Sequence, residues 1–163
     1  MKDADYRWIN RGGVDLLGAN PDAPTSRFGL PRARALYGPL PEQLRDPASF
    51  AARLKQILAA RKKHRIHEGE LLAVPEVNHS AAHLLVMRTP GKPALVITAV
   101  NFSHQPIEER IELHDVGELE VSAFVGQVAR DCISTDAEGE VTPDGALNIS
   151  LEEWSGKTLI LEP

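Results

Sequence analysis

One cysteine, Cys132, stands in a chain of 163 residues, and a lone thiol closes no intramolecular disulfide. A disulfide-stapled secreted scaffold is thereby excluded, and the cysteine usage fits a reducing, cytoplasmic setting. Aromatic residues make up only 5% of the chain, so few rings exist for stacking or for anchoring an interface. No apolar run approaches the roughly 20 residues that a helix needs to span a bilayer. The opening MKDADYRWINR also lacks the apolar stretch of a secretory signal. Positive charge is in deficit, 18 Lys and Arg against 23 Asp and Glu, for a formal net charge of -5. That balance argues against a nucleic-acid partner, whose phosphates reward a basic surface, and no membrane partner is expected. Walker and Rossmann glycine patterns are missing, so no nucleotide cofactor is expected. There is no internal repeat and no low-complexity segment.

What is present is a 42% hydrophobic chain long enough to bury a core. Residues 1–45 are broken by Gly12, Gly13, Gly18, Pro21, Pro24, Gly29, Pro31, Gly38, Pro39 and Pro41. Such punctuation predicts a loop-rich wrapping segment with one short helix near 32–37. DPASFAARLKQILAARKKHRI follows over 46–66 and reads as one helix. Asp46 is expected as N-cap and Pro47 as the first helical residue, where its missing N–H costs nothing. Phe50, Leu54, Ile57 and Leu58 form one apolar stripe that must pack on something. Arg61, Lys62, Lys63 and Arg65 complement the negative end of the helix dipole, and Gly69 is the expected stop.

Beyond Gly69 the pattern changes to short Leu, Val and Ile-rich runs at 70–77, 82–89, 94–103, 107–115, 118–126, 146–153 and 157–163. Turn residues separate them, Pro90-Gly91-Lys92-Pro93 and Pro143-Asp144-Gly145 among them. The fold class expected is mainly β: an antiparallel β-sandwich of seven to eight strands, preceded by one long helix and a loop-rich N-terminal segment.

Candidate chemistry is thin. His64 with His67 and His79 with His83 invite a metal reading, yet a site needs three or four converging ligands, so solvent-facing histidines are preferred. The acidic run Glu108, Glu109, Glu112, Asp115, Glu118 and Glu120 alternates with apolar residues and reads as a solvated strand face. The basic cluster at 61–65 is explained by the helix dipole. Tyr6, Trp8, Tyr37 and Trp154 could supply a sugar-stacking platform, but core or interface anchoring is the commoner use of such rings. Ser80 lies outside a G-x-S-x-G setting, and Cys132 has no nearby His, so nucleophilic catalysis lacks support.

Five segments carry a resemblance. RWINRGGVDLLG (7–18) and LYGPLPEQLRDPASF (36–50) resemble the late part of trehalose synthases (maltose α-D-glucosyltransferases), a group within the family 13 glycoside hydrolases, with Val14 where that group usually has Tyr. LAVPEVNHSAAHLLVMRTP (72–90) and LVITAVNFSHQPIEERIEL (95–113) resemble hairpins of that group's C-terminal β domain, of the maltogenic amylase type. SLEEWSGKTLILEP (150–163) is similar to its final strands, with Trp154 near the usual proline-aromatic pair.

The resemblance implies three parts: a wrapping segment 1–45, a helix 46–68 equivalent to the last barrel helix, and a C-terminal β-sandwich 69–163. It implies a non-catalytic accessory domain of an α-amylase-family enzyme acting on maltose or α-glucans. The alternative is a carbohydrate-binding module for α-glucans. The retaining chemistry of that family uses two carboxyl groups about 5–5.5 Å apart on barrel strands, and a full barrel takes on the order of 250 residues. No catalytic, cofactor-binding or metal residue is therefore carried over. The partner implied is the missing (β/α)₈ barrel, in cis or in trans, with self-association and weak α-glucan binding as further expectations. The chain reads as a piece of such an enzyme or as a relative that has lost its barrel.

Overall fold

The computed structural model describes residues 14–20, 22–25, 29, 31–32, 36–91, 93–117 and 119–163. The chain divides into two compact units, Met1–Leu58 and Ala59–Pro163.

In the first unit a short helix α1, Leu40–Gln43, leads toward a long helix α2, Phe50–Lys63, which runs across the boundary between the units. Helix α2 starts later than the sequence signals predict. Ser49 is the cap: its Oγ accepts the N–H of Ala52 at 3.2 Å and its carbonyl accepts that of Arg53. The Gln43 side chain accepts another free donor, the N–H of Ala51. Asp46 instead closes a local turn, its Oδ1 taking the N–H of Ala48 at 2.8 Å. Of the segment 32–37 where a helix is expected, residues 33–35 lie outside the described set. Pro31 pairs with Thr25 in an isolated antiparallel bridge, and Arg32 is held to Asp15 by an ion pair of 3.4 Å. Helix α2 forms on strong intrinsic propensity, from Ala51, Ala52, Ala59 and Ala60 with Leu, Gln, Lys and Arg between them.

Arg65, not Gly69, ends the helix. It adopts the left-handed conformation at φ 51°, tied down by an ion pair with Glu68 and by Pro90 O. Gly69 matters for closeness: a Cβ there would stand 3.1 Å from the Arg88 carbonyl oxygen.

The second unit holds eight antiparallel strands: β1 Glu70–Ala73, β2 Ala82–Arg88, β3 Leu95–Asn101, β4 Ile107–Glu112, β5 Val128–Asp131, β6 Ala137–Glu140, β7 Ala146–Leu151 and β8 Gly156–Leu161. They form a six-stranded sheet in the order β1-β2-β3-β8-β5-β6 and a two-stranded sheet of β4 with β7. The expected mainly β, two-sheet fold with one main helix is the observed one. Alternation sets which residues face inward. Leu84 and Val86 of β2, Ile97 and Ala99 of β3, Ile107 and Ile111 of β4, Ile149 and Leu151 of β7 and Leu159 and Leu161 of β8 share one buried core.

Two strand expectations fail for physical reasons. The run 118–126 is not a strand where described, because Val121–Ala123 is a 3₁₀ turn. Val121 and Phe124 are buried at the three-residue spacing that such a turn puts on one side. Strands β5 and β6 go unpredicted, since VARD and AEGE carry almost no apolar signal. β6 survives as an edge strand because Gly139 lets it lie close to β7: a Cβ there would meet Asn148 O at 2.9 Å.

Candidate functional site

The acidic run contains one correction of substance. Glu108 faces water, but Glu109 is 2% exposed, on the inner side of β4 between Ile107 and Ile111. Both of its oxygens are used: Oε2 accepts the N–H of Asn78 at 2.8 Å and Oε1 that of His79 at 2.9 Å. A carboxylate of this length offers two acceptors and no donor, which is what two adjacent backbone donors require. Glu109 is thus a clamp on the loop before β2. Glu112 and Asp144 both meet Arg110, at 2.6 and 2.7 Å, across the outer face of the β4–β7 ribbon. Glu118 lies outside the described residues.

The histidines are spread along the second unit. His67 and His83 are exposed, while His64 and His79 are half-buried. His79 uses its Nδ1 to accept the N–H of Ala81 at 3.2 Å. Among the described residues no group of three or more His, Cys, Asp or Glu is arranged to hold a metal ion. Cys132 is buried, and that burial, followed by the Asp131 charge, pushes its thiol pKa up, the opposite of what a nucleophile needs. Beside the C-terminus of α2 lies a cleft of about 180 Å³ lined by Lys63, His64, Arg65, Thr89 and Glu162. A wider one of about 450 Å³ runs past Gln127, Arg130, Asp131 and Thr135. Asp131 is occupied by its own turn, its Oδ1 taking the N–H groups of Ile133 and Ser134 at 2.8 Å each.

Of the four rings considered for stacking, Tyr6 and Trp8 lie outside the described residues. Tyr37 stacks on Phe50 in the first unit, with ring centroids 4.8 Å apart. Trp154 stands in the turn between β7 and β8, in the second unit. Beneath it is a buried polar hub that the sequence reading missed. Asn101, 1% exposed, donates from Nδ2 to the carbonyls of Gln105 at 2.7 Å and Glu152 at 2.8 Å, and accepts the N–H of Ser103 at Oδ1. One side chain therefore ties the β3–β4 loop to the β7–β8 turn. The Trp154 N–H bonds to Ser103 O, and its indole Nε1–H donates to His104 Nδ1 at 3.1 Å.

The apolar stripe of α2 stays in water. Phe50, Leu54, Ile57 and Leu58 are all exposed, Leu54 at 42% and Phe50 at 54%, and Ala60 is the one buried residue of the helix. Val14, Leu16, Leu17, Leu36 and Leu44 of the first unit are exposed as well. Among the described residues no helix is long and apolar enough to cross a membrane.

At the level of sequence, no family model and no curated protein matches the chain. Solved structures do match in fold. The α-amylase of Geobacillus thermoleovorans, complexed with acarbose, is 14% identical with a TM-score of 0.58, over 85% of this chain and 27% of that one. AmyP E221Q, in complex with maltotriose, is 18% identical with a TM-score of 0.52, over 67% of this chain and 20% of that one. The chain thus spans about a quarter of the length of such proteins, and its fold is one that occurs within α-amylase structures.

Proposed function

We propose that this chain is a non-catalytic C-terminal accessory domain of an α-amylase-family enzyme, of the trehalose synthase type, whose parent acts on maltose or α-glucans. Its work is to brace a (β/α)₈ catalytic barrel. The observation that carries this reading is the exposed apolar stripe on α2, on a chain whose fold recurs within α-amylases. Phe50 has the Tyr37 ring on it, yet all four stripe residues remain exposed, and a neighbouring barrel helix is the cover the resemblance implies. Residues 46–68 then stand for the barrel's closing helix, 1–45 for the segment wrapping it, and 69–163 for the β domain behind it. Reaction chemistry belongs to carboxyl groups on the barrel strands.

The test is reconstitution in trans. The 163-residue chain is mixed with a trehalose synthase barrel truncated before its own C-terminal domain, and the complex is followed by size-exclusion chromatography with light scattering. A one-to-one complex, lost on Leu54→Asp with Ile57→Asp, is expected. No complex, or one indifferent to those substitutions, would overturn the docking role. The chain alone is expected to convert no maltose to trehalose, and steady turnover would refute its non-catalytic assignment.

A further inference from the structure

We propose that Trp154 is a carbohydrate-stacking platform, its indole face receiving one glucopyranose unit of an α-linked glucan and His104 bonding to a sugar hydroxyl. Trp154 sits at φ 49°, the left-handed region that bulky residues rarely enter. A Gly or Asn would make that turn without strain, so the backbone there does not call for an indole. Nor does the core use the ring, which is 59% exposed. Strained backbone that presents a large side chain to solvent is a pattern of binding sites.

The ring is also held still. Its N–H is bonded to His104 Nδ1, the imidazole meets it edge-on at a centroid distance of 4.8 Å, and its backbone N–H is fixed to the loop that Asn101 locks from below. A stacking face already immobilised loses little entropy when a ligand arrives. Because Nδ1 accepts from the indole, the Nε2 of His104, an exposed residue, is left for a sugar hydroxyl. The surroundings choose the ligand class. An exposed aromatic face with an imidazole against its edge and two exposed carboxylate residues, Glu152 and Glu153, just before it in the chain suits a pyranose, which offers a C–H face and equatorial hydroxyls. Those carboxylates repel phosphate, which disfavours a stacked nucleobase or a lipid surface. That the sugar is a glucan with α-linkages rests on the accessory-domain reading.

The chain has two tryptophans, so in a Trp8→Phe background Trp154 is the sole indole reporter. That protein is titrated with maltoheptaose and, separately, with cellohexaose, following fluorescence and, by calorimetry, the heat of binding. Saturable change with maltoheptaose is expected, with affinity at least tenfold weaker after Trp154→Ala and several-fold weaker after His104→Ala. Trp154→Gly separates binding from folding: its thermal midpoint is expected to hold, because relief of the left-handed strain offsets loss of the indole bond to His104, while binding is lost. No response to either oligosaccharide, or equal binding by Trp154→Gly, would overturn the platform. Binding of cellohexaose alone would overturn the α-glucan assignment. Neither result touches the barrel-docking test, which reads a different surface.

Discussion

Glu109 offers the sharpest test of how the β unit is held together. Changing it to Ala removes both acceptors of the Asn78 and His79 N–H groups, at 2.8 and 2.9 Å. A buried donor left unmade costs about 1–3 kcal/mol. Asn78 is exposed and His79 half-buried, so water can serve part of that need, and the lower half of the range applies to each. Removing the charge also returns the desolvation cost of burying it, which offsets some of the loss. The net expectation is about 2–3 kcal/mol, a fall in thermal midpoint of roughly 10 °C. Glu109→Gln is the informative companion. It keeps the volume but turns one acceptor into an NH₂ that confronts a backbone donor, so it should lose more than half as much as Ala does. Glu108→Gln, one residue away on the wet face, should stay within about 0.5 kcal/mol of the parent protein. Urea unfolding followed by circular dichroism measures all three. If Glu109→Gln and Glu108→Gln unfold at the same midpoint, the clamp contributes nothing and the reasoning fails.

Two further expectations follow from local structure. Ser49→Ala should destabilise α2 by about 1 kcal/mol through loss of the bond to the Ala52 N–H, while Asp46→Ala should cost less, which the helical signal at 222 nm during urea titration will separate. Acid should weaken the protein in a defined window. Asp15 is held below its ordinary pKa by the N–H of Asn20 and by Arg32, Glu68 by Arg65, and Asp144 by the Thr142 side chain and Arg110. Each lowered carboxylate contributes stability that is complete above its ordinary pKa, on the order of pH 4, and is lost as pH falls through the folded value. The thermal midpoint should therefore be flat with respect to these three groups from pH 7 to 5 and drop below about pH 4, and Asp15→Asn with Asp144→Asn should flatten that drop.

The strands that could be read from sequence are those with enough apolar residues to signal a strand: β1, the first half of the run read at 70–77, and β2, β3, β4, β7 and β8, which line the core. β5 and β6 were illegible because they hold their places through pairing and a glycine contact rather than through their own side chains. At 118–126 the residues are apolar but the period is three, and treating them as a strand ignored that spacing. Parity within β4 already placed Glu109 on the same side as Ile107 and Ile111, so its burial was legible to anyone who followed the alternation through the charge. What could not be read was its partner, since the Asn78 and His79 backbone is some 30 residues distant and backbone donors carry no residue signature. Asn101 was hidden for the same reason, each of its partners being a main-chain group.

Local rules are broken at four places: a carboxylate on a core face, an amide buried at a strand end, a tryptophan in a left-handed turn, and an apolar helix face in water. The first two resolve inside the chain. Glu109 and Asn101 have their hydrogen-bonding capacity met by loops that would otherwise be unanchored, so each conflict disappears once the tertiary structure is drawn. The other two do not resolve. Trp154 keeps its left-handed backbone although Ser103 and His104 hold it, and the stripe from Phe50 to Leu58 keeps its exposure. Sequences that fold well satisfy local and global preferences together, and the exceptions that persist in the folded state are concentrated where a second molecule completes the structure. By that reasoning the unresolved pair points outward, and the two features ask for different partners. The stripe is broad, aliphatic and helical, fit for another protein surface. The indole is a single rigid ring among polar groups, too small for a protein interface core and suited to a sugar. An accessory domain that braces a catalytic barrel with one surface and holds substrate chain with another would need both.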